Sequence, residues 1–143
     1  MMSDIERAKA LLQSDPALGC VACRSDAETL TGTGRGVRPL LQWLASGQSL
    51  AGYSAADRVV GKGAALLYAK LGAKAVYAET MSEAGLATLQ GNGIEASYGT
   101  LVPMILNRTG TGMCPIEQSV TTISDPVVAE PAIRAAVVKL MQS

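Results

Sequence analysis

The sequence predicts an α/β protein, a three-layer α/β/α sandwich around a mixed sheet of about five strands. Three observations carry that expectation. After residue 49, strand-like runs alternate with helical apolar spacing in the order strand, helix, strand, helix, strand. Such alternation implies parallel strands joined by right-handed crossovers and covered by helices. Residues 18–25 and 28–32, separated by Asp26 and Ala27, read as a hairpin that adds an antiparallel edge. Residues 57–71, DRVVGKGAALLYAKL, set Val60, Ala64, Leu67 and Leu71 at helical spacing, and Gly63, Ala64, Ala65 and Ala69 let that helix lie close to a sheet.

The elements follow in order. Ser3-Asp4-Ile5-Glu6 matches a capping box, and Ile5, Ala8, Leu11 and Leu12 mark a short amphipathic helix that Asp15-Pro16 ends. After the hairpin, residues 37–45 form a second helix with Pro39 in its first turn, closed by Gly47. Residues 49–54 read as a short strand leading into the helix at 57–71, which Gly72 stops. Residues 73–79 read as a central strand, 80–90 as the next helix, and 94–98 as a further strand. One or two helical turns are expected at 100–106, a glycine-rich loop at 107–113, a short helix at 115–122, and a terminal helix at 130–141.

Composition narrows the function. The chain has 143 residues, enough for one domain with a real core, and is 48% apolar but 3% aromatic. Twelve basic residues balance twelve acidic ones, which argues against nucleic-acid binding by electrostatics. A net charge of zero with positive mean hydropathy favours self-association, so a homo-oligomer is expected. No run approaches the ~20 apolar residues of a membrane span, and the N-terminus lacks the apolar core of a signal peptide. Three cysteines cannot all pair, which fits a reducing compartment, and a cytoplasmic location is expected.

In a sheet of this topology, ligands bind at the carboxyl ends of the strands, where helix N-termini point. The expected starts at 57–62 and 80–83 should meet there and make the crevice electropositive, with Lys62 adding a charge. Gly61 and Gly63 flank Lys62 and permit close approach, although a solvated lysine reads equally well. The stretch misses a P-loop, having Ala56 and Gly63 where glycine and a hydroxyl residue belong. Gly32-Thr-Gly34-Arg-Gly36 misses the dinucleotide fingerprint at Val37 and reads as a turn, with Arg35 as a candidate anion contact. Thr80-Met-Ser-Glu83 reads as a capping box; alternatively Ser82 and Glu83 present a hydroxyl and a carboxylate to the crevice.

Cys20 and Cys23 form a lone CxxC on a strand, where residues three apart face opposite sides, and the chain has no histidine, so no metal site is expected. Pro115 suits the first position of a helix, with Cys114 at the N-cap and Glu117 at N3. A thiol there has a depressed pKa and is the best nucleophile candidate, but no histidine exists to serve as its base.

GRGVRPLL, DRVVGKGAALL, VYAETMSEAGL and NRTGTGMCPIE, in this order and spacing, resemble the small prokaryotic proteins of domain of unknown function 1893. The resemblance covers nearly the whole chain after Pro16 and implies a cytidine-deaminase-like fold in which two helix N-termini frame the site. Zinc deaminases carry H-x-E and P-C-x-x-C there. The matching stretches here, around Gly61-Lys62-Gly63 and Ser82-Glu83, have neither, so the resemblance implies a pocket without zinc hydrolysis.

The first functional expectation is therefore a cofactor-free protein binding a small anionic or nucleotide-like ligand at two helix N-termini. Lys62, Gly61, Gly63, Ser82 and Glu83 would line the site, with Asn107, Arg108 and Cys114 as wall residues and Glu117 as a further ligand contact. Two alternatives stand beside it: a metal-free enzyme using Cys114 as nucleophile, and an oligomeric interaction module with a decayed site.

Overall fold

A computed structural model describes residues 2–142. Helix α1 (Asp4–Ser14) opens on the expected capping box, with Ser3 and Glu6 bonded reciprocally. Strands β1 (Leu18–Cys23) and β2 (Leu30–Thr33) form the hairpin, followed by α2 (Arg38–Ala45), β3 (Ser54–Val60), α3 (Lys62–Leu71), β4 (Ala75–Ser82), α4 (Glu83–Gly91) and β5 (Glu95–Val102). The four-residue α5 (Pro115–Gln118) and the long α6 (Pro126–Gln142) complete the order. The five strands form one mixed sheet, β2-β1-β3-β4-β5. β1 is antiparallel to both its neighbours, and β3, β4 and β5 run parallel.

The sheet is covered unequally. On one face α1 stands alone, packing Ala8 and Leu12 on Val21, Cys23, Ala56 and Tyr77. The larger core, which includes Leu40, Leu66, Leu67, Tyr68, Met81 and Ile133, lies on the other face. Alanines of β3 and small residues of α3 let backbone approach backbone, which is how a chain without phenylalanine fills its interior. Gly85 shows how close: a Cβ there would lie 2.7 Å from the Val60 carbonyl oxygen.

α1 has no basic residue in its last turn, and Arg58 of β3 supplies one from outside. Its guanidinium donates to the carbonyls of Leu12 (2.8 Å) and Asp15 (2.9 Å), to Leu18 in β1 (3.1 Å), and to Glu79 of β4 (2.9 Å). One side chain thus satisfies the orphan end of the helix and pins it to three strands.

Several boundaries differ from expectation: the strand expected at 49–54 begins only at Ser54, and the helix expected at 115–122 ends at Gln118. Residues 57–60 belong to β3 and not to the following helix, which begins at Lys62 with Gly61 as its N-cap. Val60 is buried because it ends a central strand paired with Met81, and its helical spacing to Ala64 is coincidental. Residues 80–82 extend β4, because Thr80 and Met81 pair with Thr100 and Leu101 of β5. The capping box expected on Thr80 is therefore absent: the N-cap is Ser82, which accepts from the Gly85 amide at 2.9 Å. The turns expected at 100–106 are instead the end of β5 and an irregular segment, and α6 starts at Pro126 instead of 130.

Candidate functional site

The crevice at the carboxyl ends of β3 and β4 is closed by a residue from far along the chain. The Glu117 carboxylate, buried on α5, accepts from the Lys62 amide at 2.6 Å and the Gly63 amide at 2.8 Å. Glu117 caps α3, in addition to its place at N3 of its own short helix. Two amides that point at a would-be anion already hold one, and the helix dipole favours the charge that holds them.

This contact explains the glycines. A Cβ at Gly61 would stand 2.2 Å from Glu117 Oε1, and one at Gly63 would stand 2.9 Å from Ile116 Cγ2 and 3.2 Å from Glu117 Oε2. Both positions must lack a side chain for the carboxylate to reach the helix.

At the second helix start, Ser82 is buried and engaged as the N-cap of α4, while Glu83 is the first helical residue and exposed. Lys62 extends over α5, where its ammonium donates to the Thr121 carbonyl at 3.2 Å and forms no ion pair among the described residues. Beside it lies a cavity of about 220 Å³ lined by Lys62, Ser82, Met104, Ile105, Met113 and Glu117. The crevice thus has an apolar floor of methionine and isoleucine, one cation at its rim, and two capping groups already bonded.

The structure does not bring the remaining predicted residues to this crevice. Asn107 organises its own loop: its Oδ1 accepts from the Thr111 amide (3.0 Å) and the Thr109 hydroxyl (3.1 Å), and Leu106 bridges to Met113. Arg108 and Cys114 line a different cavity, also about 220 Å³, with Arg35, Arg38, Ile116 and Val137. Cys114 is the N-cap of α5 by position but makes no side-chain cap bond, and it shares no cavity with Lys62 or Glu83. Cys20 and Cys23 are buried, and burial with the nearby Asp57 carboxylate pushes the Cys20 thiol up.

Arg38 and Asp57 went unremarked as polar groups of interest in the sequence. Asp57 is buried in β3, its Oδ2 accepting from the Tyr68 hydroxyl at 2.6 Å and its Oδ1 from the Arg58 amide at 2.7 Å. Burial raises its pKa to about 7, against the lowering effect of those donors. A charged residue at the start of an apolar helix drew no notice; placed on a buried strand, it would have. Among the described residues, no group of three His, Cys, Asp or Glu side chains could hold a metal ion, and no helix is long and apolar enough to cross a membrane.

Comparison with known proteins places this geometry. The profile of the family described as Domain of unknown function (DUF1893) matches residues 7–136. A crystal structure of a DUF1893 family protein from Thermotoga maritima superposes with a TM-score of 0.79 at 24% identity, covering 97% of this chain and 92% of that one. The apo dCMP deaminase of cyanophage S-TIM5 is less similar, with a TM-score of 0.46 at 17% identity over 66% of this chain and 92% of that chain, a likeness too slight to carry an argument. None of the curated proteins compared with the chain matches it.

Proposed function

The chain belongs to the DUF1893 family, and we propose that it is a small-molecule-binding protein whose ligand lies in the crevice at the ends of β3 and β4. The ligand is anionic or nucleotide-like, and Lys62 is the cation that meets its charge. The observation that carries this reading is the state of Lys62: an ammonium beside a cavity of about 220 Å³, bonded to one carbonyl and, among the described residues, paired with no carboxylate. An ammonium so placed is a ready partner for an anionic group on a molecule whose apolar part rests on Met104, Ile105 and Met113.

Binding is favoured over turnover because the crevice has no free acid–base pair. Glu117 is bonded to two amides and Ser82 to one, and the chain has no histidine. Zinc-assisted deamination is not proposed, since neither helix start offers a cysteine or histidine ligand.

The test is native mass spectrometry of the chain purified from its expression host, followed by the denatured mass, for the wild type and Lys62→Ala. A small-molecule mass lost on denaturation and missing from Lys62→Ala supports the reading and identifies the ligand class. The same mass retained in full by Lys62→Ala overturns it. A bare oligomer that also takes up none of a panel of nucleotides and organic acids overturns it in favour of an interaction module.

A further inference from the structure

We propose a second binding site, separate from the crevice, that takes an amphipathic anion: a phosphate or carboxylate head on an apolar body. It lies between the loop leading into α2, the start of α5 and the end of α6. The argument begins with a census of guanidiniums. Of the chain's seven arginines, Arg7, Arg24, Arg58 and Arg134 are all ion-paired. The other three, Arg35, Arg38 and Arg108, form no ion pair and no side-chain hydrogen bond among the described residues, and all three line one cavity. Among the described residues, no carboxylate lines it with them.

The three residues are exposed, so each guanidinium is solvated, but like charges lining one cavity without a counter-ion raise its positive potential and favour entry of an anion. Guanidinium is also the side chain best matched to phosphate and carboxylate, through paired N–H donors. The rest of the wall is apolar, formed by Val37, Ile116, Val137 and Leu140. Past Arg108 and Cys114 the cavity continues into a hollow of about 350 Å³ that includes Leu106 and Leu140, both well exposed. The cationic end thus adjoins a hollow whose wall is apolar at Leu106, Pro115 and Leu140 and polar at Asn107 and Thr109, and the two together have the volume of a small-ligand site. This inference does not rest on the crevice reading, since the two cavities have no residue in common.

Cys114 provides a local reporter. It lies in the wall of both hollows and is partly exposed, whereas Cys20 and Cys23 are buried. The experiment is titration calorimetry of the full chain with octyl phosphate, octanoate and the neutral octyl glucoside, each below its micelle-forming concentration. In parallel, the rate of Cys114 alkylation by iodoacetamide is measured. The expected result is that at least one of the two anions binds, and which one identifies the head group. Octyl glucoside should bind at least about tenfold more weakly. The bound anion should slow Cys114 alkylation, and Arg38→Gln/Arg108→Gln should weaken binding about tenfold or more, both in the wild type and in the Lys62→Ala background that removes the crevice cation. Circular dichroism confirms the fold of each variant. The proposal is overturned if neither anion binds, if octyl glucoside binds equally well, or if Lys62→Ala abolishes binding while the double arginine variant does not.

Discussion

The two cavities that share α5 as a wall handle charge in opposite ways. At the crevice the chain supplies its own anion: Glu117 sits on the amides that begin α3, and Ser82 sits on the amide at the start of α4. On the other side, Arg35, Arg38 and Arg108 line one cavity with no acid in its wall among the described residues. The first arrangement answers a structural need, since buried orphan amides destabilise a helix. The second answers none within the described residues, because exposed arginines are well solvated without converging. Internally matched charge is evidence about folding, and unmatched charge is evidence about a partner. Lys62 lies between the two cases, bonded to a single carbonyl.

That contrast can be broken most forcefully at Glu117. Glu117→Ala leaves the buried Gly63 amide and the part-buried Lys62 amide without an acceptor, at about 1–3 kcal/mol for a buried group and less for the other. Urea denaturation should show a loss of about 2–5 kcal/mol, with Glu117→Gln losing less because one acceptor oxygen remains. If Glu117→Ala is neutral, the carboxylate is not the structural cap described here, and the crevice is open to an external anion.

A second carboxylate sharpens the comparison by pH. Asp57 is also buried and hydrogen-bonded, but burial dominates and lifts its pKa to about 7, against about 3.9 in an unfolded chain. Between about pH 4 and 7 the folded protein keeps a proton that the unfolded chain releases. Stability contributed by this group is therefore full below about pH 4, falls as pH rises, and levels off above about 7. Asp57→Asn should remove that dependence, so that its stability relative to wild type improves by about 2–4 kcal/mol from pH 4 to pH 8. Thermal melts of both proteins across that range measure it, and parallel curves would contradict it.

The smallest expected effect is at the arginines. Arg38→Gln/Arg108→Gln should change unfolding free energy by less than about 0.5 kcal/mol at any moderate salt, because no internal partner is lost. A large loss would mean that these side chains are structural, and the contrast between the two cavities would fail.

Much of the architecture was legible because strand and helix periods alternate cleanly, and the capping box on Ser3 and the hairpin at 18–33 stand near their expected places. The failures share a cause. Val60 lies at helical distance from Ala64, and Thr80 lies three residues before Glu83, so local pattern favoured a helix at both places. Pairing with neighbouring strands overrode it. The site was less legible still. Glu117 was recognised as a residue of interest on its own helix, yet its bonds run to residues 54 and 55 positions earlier. Nothing local announces such a contact except its imprint, the glycines at 61 and 63 that a side chain would block. Arg38 and Arg108 likewise come to line one cavity only through the fold.

The cap on α3 also sets an order of events in time. During synthesis the amides of Lys62 and Gly63 leave the ribosome some fifty residues before the carboxylate that completes them. Until then the central helix has an unfinished first turn, although all five strands of the sheet have already been made. The nascent protein must hold its sheet together by strand pairing, by the Arg58 bonds and by apolar contact, and closure of the crevice can only follow that assembly. Chains stalled before residue 117 would therefore present an open helix start at the crevice, a short-lived anion site that the finished protein has sealed.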